Sequence, residues 1–171
     1  NLYKDAVVEH IDVSVDFYTA EIEQNLGNVG QFDGDRMDKL FEDFPFGNEA
    51  WIALVNEEGK ILYHFCERRS GYVQPGINIY NELRALSEES ATQMMGKIEK
   101  GASGIAYITT GNITGSLFYK PVEKQPWYVI MGIPDSYLEA KLAEKDRLYA
   151  GMMISQFVGM FLFAALFIYI I

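Results

Sequence analysis

The sequence is poor in cysteine: Cys66 is the single one. A lone thiol cannot close an internal disulfide, so the fold must rest on packing. Read alone, Cys66 is a small buried apolar residue rather than a reactive thiol. Positive charge is also scarce. Lys and Arg total 14 against 24 Asp and Glu, a net charge of −10. That balance argues against a nucleic-acid partner, whose phosphates need Lys and Arg, and against lying flat on an anionic membrane surface. Histidine occurs only as His10 and His64. There is no Gly-rich phosphate loop, no metal-spaced Cys/His set and no G-x-S-x-G. His64 and Cys66 stand two apart in a strand-like run and so share a face. A Cys/His nucleophile pair is one reading and satisfied core residues the other; no orienting third group or oxyanion motif accompanies them. No catalytic site, metal or cofactor is expected in this portion. Internal repeats and low-complexity segments are absent as well.

A different absence organises the chain's end. Residues 151–171 contain no charged residue and no proline. At ~1.5 Å per helical residue the run is about 31 Å long, the thickness of a bilayer's hydrocarbon core. The expectation is a transmembrane helix. A charged, amphipathic stalk at 136–150 leads into it, with Leu138, Leu142 and Tyr149 at helical spacing. Pro134 ends the preceding ladder, and Ser136-Tyr-Leu-Glu139 fits a capping box. One helix is therefore expected over 136–171. Within it Gly151, Ser155 and Gly159 recur every four residues. Such a stripe lets two membrane helices approach closely, and Gln156 beside it favours a partner across the pair. A parallel homodimer touching near Ser155 is expected.

The remaining 135 or so residues suffice for one domain with a core of its own. Residues 1–26 read as a helix, with Val8, Ile11, Val15, Tyr18 and Ile22 on one stripe and acids on the other faces. It packs on its own domain, or with one end across a dimer axis. The acidic connector 31–49 carries Asp33-Gly-Asp35-Arg-Met-Asp38, which lacks the remaining ligands of a calcium loop; 38–42 looks like an ordinary helical turn. Runs 50–56 and 60–66 form a hairpin around Glu57-Glu-Gly59. Few positions on either of its faces are polar, so both faces of the sheet should be covered. Helices are expected at 80–86 and 88–100, with Ser87 as a cap and Gly101 as a stop. Strands follow at 103–109, 113–121 and 126–133, the first two joined by Thr110-Gly-Asn112.

This order resembles the extracytoplasmic PAS-like sensor domains called Cache domains. The words that carry the resemblance are Trp51-Ile-Ala-Leu-Val-Asn-Glu-Glu-Gly59-Lys-Ile-Leu for the first hairpin, Gly104-Ile-Ala-Tyr, Leu117-Phe-Tyr-Lys-Pro-Val122 and Trp127-Tyr-Val-Ile-Met-Gly-Ile-Pro134 for the last strands. The Arg-x-Trp-Tyr signature of the amino-acid-binding subgroup is absent. The resemblance implies an α+β fold: a long N-terminal helix, a five-stranded antiparallel sheet in order 2-1-5-4-3, a helical insert between strands two and three, and a C-terminal transmembrane helix. It implies the sensing domain (1–135) of a bacterial transmembrane receptor, held outside the cytoplasm at the cell membrane. A second membrane helix would precede Asn1. A histidine kinase, a diguanylate cyclase or a chemoreceptor tail would follow Ile171.

A ligand under the helical insert needs aromatic area and a few groups to fix its orientation. Arg68, Arg69, Tyr72, Tyr80, Tyr107, Tyr119 and Lys120 are the candidates. Cations in an acidic protein lean toward a small carboxylate ligand. The competing reading is a ligand-free dimerising or partner-binding ectodomain, in which the tyrosines are core and the arginines solvated. Asn112-Ile-Thr114 is a glycosylation sequon on paper, a motif that chance produces often.

Overall fold

A computed structural model describes residues 2–27, 34–42, 44–46, 50–66, 76–110, 113–123 and 125–170. It divides into two units, Asn1–Tyr137 and Leu138–Ile171. In the first, helix α1 (Leu2–Gly27) buries Ile11, Val15, Tyr18 and Ile22, the stripe that the spacing predicts. Within the stretch read as a connector, helix α2 (Gly34–Leu40) starts four residues ahead of the turn read at 38–42, overlaps it, and buries Met37, with Phe41 buried beyond its end. Asp38, weighed above as a calcium ligand, instead accepts a hydrogen bond from the Tyr63 hydroxyl at 2.6 Å.

Strands β1 (Trp51–Asn56) and β2 (Ile61–Cys66) form the expected hairpin. Its turn passes through Gly59 at φ +82°, a left-handed conformation that costs glycine nothing. Helices α3 (Ile79–Leu86) and α4 (Glu88–Ile98) follow. Ser87 closes one and opens the other, its hydroxyl accepting from the Ser90 amide. Gly101, at φ +67°, ends the second with its amide on the Ile98 carbonyl. Strands β3 (Gly104–Thr110), β4 (Ile113–Pro121) and β5 (Trp127–Pro134) complete one antiparallel sheet in the order β2-β1-β5-β4-β3. This is the PAS-like order that the resemblance implies.

Both faces of the sheet are covered. On one, Ala53, Val55, Leu117, Tyr119, Tyr128 and Ile130 pack beneath Ile79, Leu83, Met94 and Ile98 of α3 and α4. On the other, Ile52, Leu54, Phe118, Val129 and Met131 are buried, and α1 lies against β4 and β5. Phe41 anchors an aromatic cluster there, with ring centroids 5.2 Å from Tyr18, 5.8 Å from Tyr63 and 5.6 Å from Phe65. Burying side chains of this size on both faces removes from water the area that stabilises so small a domain.

Helix α5 (Asp135–Ile170) starts one residue ahead of the Ser136 marked as its cap. Among the described residues no helix is long and apolar enough to cross a membrane. The described side chains from Gly151 to Phe163 are all exposed.

Candidate ligand-binding site

The face beneath α3 and α4 is where the insert meets the sheet, and register decides which polar atoms it holds. The β1–β2 pairing shifts between Leu54 and Val55, so that Leu62 is the extra residue of a bulge. Beyond it, His64 pairs with Ala53 and Cys66 with Trp51, and both lie on the insert side with their partners. The His64 Nε2 is buried and has no hydrogen-bond partner among the described residues. Burial holds its pKa down to about 4, so the imidazole is neutral at pH 7. Its ring centroid is 6.5 Å from that of Trp51. Trp51 itself lies over Gly132, where a Cβ would come within 2.4 Å of Nε1.

Tyr80 enters the same face from α3. Asn78 caps that helix by accepting from the Tyr80 and Asn81 amides at 3.0 and 3.2 Å, and donates to the Glu58 carbonyl at 2.7 Å. The cap thus ties α3 to the hairpin turn and lays the Tyr80 ring on Gly59, where a Cβ would meet Cδ2 at 2.3 Å. Tyr80 is 5% exposed, and its buried hydroxyl has no partner among the described residues. Burial, then the nearby Tyr128 and Glu99, push its pKa up to about 12. Tyr128 by contrast donates its buried hydroxyl to the Ile98 carbonyl at 2.6 Å. Two buried polar atoms on this covered face therefore have no partner among the described residues. An unsatisfied buried group calls for an explanation, and a bound molecule is one.

The candidates named from sequence separate. Tyr80 and Tyr119 come together in the core beneath the insert. Tyr119 is 1% exposed and closes against Gly104. Tyr107 and Lys120 lie on the other face, because alternation along β3 and β4 places them with Ser116 and Phe118. Tyr107 is largely exposed on the edge strand. Lys120 is occupied: its Nζ pairs with Asp12 at 3.3 Å and with Asp16, both on α1. Neither joins the space under the insert. Arg68, Arg69 and Tyr72 fall outside the described residues. Gly151, Ser155, Gln156 and Gly159 are all exposed, the first three in one open groove of α5. Sequence reasoning left out His64 as a pocket residue and passed over Asn78. The signal for Asn78 was present, since a helix-capping residue stood just before an apolar, periodic stretch.

The arrangement offers a neutral imidazole and a neutral phenol, groups suited to holding a ligand. Among the described residues no three His, Cys, Asp or Glu side chains gather in a way that could hold a metal ion.

No protein-family model matches the chain, and no curated protein does. Solved structures do. Its neighbours include extracellular sensor domains of histidine kinases and chemoreceptors. One is the extracellular domain of rpHK1S-Z16, described as a histidine kinase: 18% identity, TM-score 0.44, covering 62% of this chain and 39% of that one. A second is that of mmHK1S-Z3, at 20% identity and TM-score 0.46, covering 64% and 39%. A third is the ligand-binding domain of the Pseudomonas aeruginosa PAO1 amino acid chemoreceptor PctB in complex with L-Arg: 19% identity, TM-score 0.42, covering 66% and 40%. The chain thus spans about two fifths of each of these neighbours.

Proposed function

We propose that this chain is the extracytoplasmic sensing domain of a bacterial transmembrane receptor. Residues 1–135 sense, 136–150 form a stalk and 151–171 cross the membrane. The observation that carries this is the exit of the sheet. β5 is the central strand, ends at Pro134 and is followed without a connecting residue by α5 at Asp135. A ligand that favours one of two packings on the insert face then biases the strand whose backbone continues into the uncharged segment. The ligand is a small anionic molecule, a carboxylate by preference, bound between the sheet and 67–86 through Arg68 or Arg69 and the nearby tyrosines. A histidine kinase, a diguanylate cyclase or a chemoreceptor tail after Ile171 receives the signal.

The working unit is a parallel homodimer. Val13 and Phe17, 60% and 57% exposed, stand one turn apart on α1 and offer an apolar contact to a second copy. The Gly151, Ser155 and Gly159 stripe offers another within the membrane. Single-cysteine crosslinking along 150–160 should peak at Gly151, Ser155 and Gly159; a flat profile or a peak on the Phe157–Phe161 face refutes that packing. A reporter fused after Ile171 should report from the cytoplasm, and its appearance on the outer face overturns the topology.

Ligand binding is tested by thermal unfolding against a panel of small carboxylates. A ligand at a hundredfold excess over its Kd stabilises the folded state by about 2.7 kcal/mol. The close packing of Tyr119 and its neighbours in the core favours a second reading, a dimerising ectodomain without a ligand. Absence of any shift across the panel selects it.

A further inference from the structure

The edge strand β2 brings the chain's single thiol and a buried ring nitrogen to one face. His64 and Cys66 both lie on its insert side, one side-chain repeat apart, so their backbones are separated by about 6.6 Å. Trp51 pairs with Cys66 across to β1, and its ring centroid is 6.5 Å from that of His64. The His64 Nε2 is buried with no partner among the described residues. We propose that His64 Nε2 and Cys66 Sγ together bind one soft monovalent metal ion, Cu(I) or Ag(I). The site does not rest on the anion reading of the preceding section, and either stands if the other fails.

The donor set selects the ion. A buried ring nitrogen without a hydrogen-bond partner is a ligand position already stripped of water. A thiolate beside it selects soft metals, whereas carboxylate and carbonyl oxygens suit Mg and Ca. Structural zinc takes four ligands, and among the described residues no three His, Cys, Asp or Glu side chains gather. Two donors suffice for a filled-shell monovalent ion, which accepts linear two-coordinate geometry. Bonds of about 2 Å to each donor need nitrogen and sulfur about 4 Å apart, a span that two side chains rising from one strand face can close. Charge points the same way. On binding, the thiol releases its proton to the buffer and sulfur bonds the ion. Nε2 donates its lone pair from the tautomer with hydrogen on Nδ1, and the oxidation state of the metal does not change. Thiolate and monovalent ion sum to zero, so the complex sits against the Trp51 indole without a net charge; a divalent ion leaves one positive charge there. Both side chains are half-buried on an edge strand, which leaves an entry path.

The probe is silver nitrate, titrated by calorimetry into the full chain in detergent micelles and chloride-free buffer, with zinc nitrate and potassium nitrate as controls. Saturable binding of one Ag(I) per chain is expected, with Zn(II) weaker and potassium silent. Cys66→Ser should abolish it. His64→Leu should weaken it at least about tenfold, since even a group that only orients a metal ligand is worth that much. The chain has two histidines, so on addition of Ag(I) to the unaltered chain the imidazole ¹⁵N resonances of His64 should shift while those of His10 stay. That measurement needs no variant and carries the test even where a substitution prevents folding. The proposal is overturned by no saturable binding, by an unmoved His64 resonance, by unchanged affinity in His64→Leu, by binding that survives Cys66→Ser, or by Zn(II) binding as tightly as Ag(I).

Discussion

Replacing Tyr80 by Phe removes one oxygen from the core and leaves the ring in place. Tyr80 is 5% exposed and its hydroxyl has no partner among the described residues. A buried polar group without a partner costs about 1–3 kcal/mol of desolvation. The variant regains part of that and gives up only the contacts of one atom, so a net gain of about 1 kcal/mol is expected. For a domain of this size the gain is worth about 3–5 °C in Tm. Urea unfolding followed by circular dichroism measures it, with the slope m unchanged if only the native state is altered. Tyr128→Phe is the internal control. Its hydroxyl donates to the Ile98 carbonyl at 2.6 Å in a buried setting, so its loss strands an acceptor and should destabilise by about 1–2 kcal/mol. The two variants should move in opposite directions. If Tyr80→Phe instead loses 1 kcal/mol or more, the hydroxyl is satisfied in the free protein. The reading of an unpartnered hydroxyl then falls.

Gly59→Ala meets both a backbone at φ +82° and the Tyr80 ring at 2.3 Å, and should cost about 2–5 kcal/mol from left-handed strain plus overpacking. In a Tyr80→Leu background the steric share should vanish, and an equal cost in both backgrounds refutes the contact. His64 is held at a pKa of about 4 against its ordinary 6.5, so between those values the unfolded chain binds the extra proton. The native protein should lose stability as pH falls from about 6.5 toward about 4. His64→Leu should lose less over that window, and parallel stability curves for the two chains would show that the imidazole is not buried neutral. Lys120→Met removes a mostly buried ammonium from two well-solvated aspartates. It should cost about 1 kcal/mol, less in high salt, and leave carboxylate binding unchanged; a lost ligand response would return Lys120 to the site.

How much of this was legible in advance follows from the range over which each signal acts. Element type is set by neighbours in sequence, and those signals sufficed except at α2, which reads in sequence as a connector with one turn at 38–42. The Ile11, Val15, Tyr18, Ile22 spacing has only one helical face to occupy, Gly59 and Gly101 supply left-handed turns, and Ser87 separates two helices. The crowding of apolar residues on both faces of the first hairpin likewise required cover on both sides. Alternation even placed Tyr107 and Lys120 correctly relative to their own strands. It is silent on which helix covers which face. Only the assembled sheet puts α1 with Asp12 and Asp16 over Lys120, and α3 and α4 over Tyr119, dividing a set of candidates that looked uniform in sequence. The burial of the Tyr80 hydroxyl and His64 Nε2 without a partner among the described residues also belongs to the tertiary structure, because only the packing of the insert on the sheet takes them out of water.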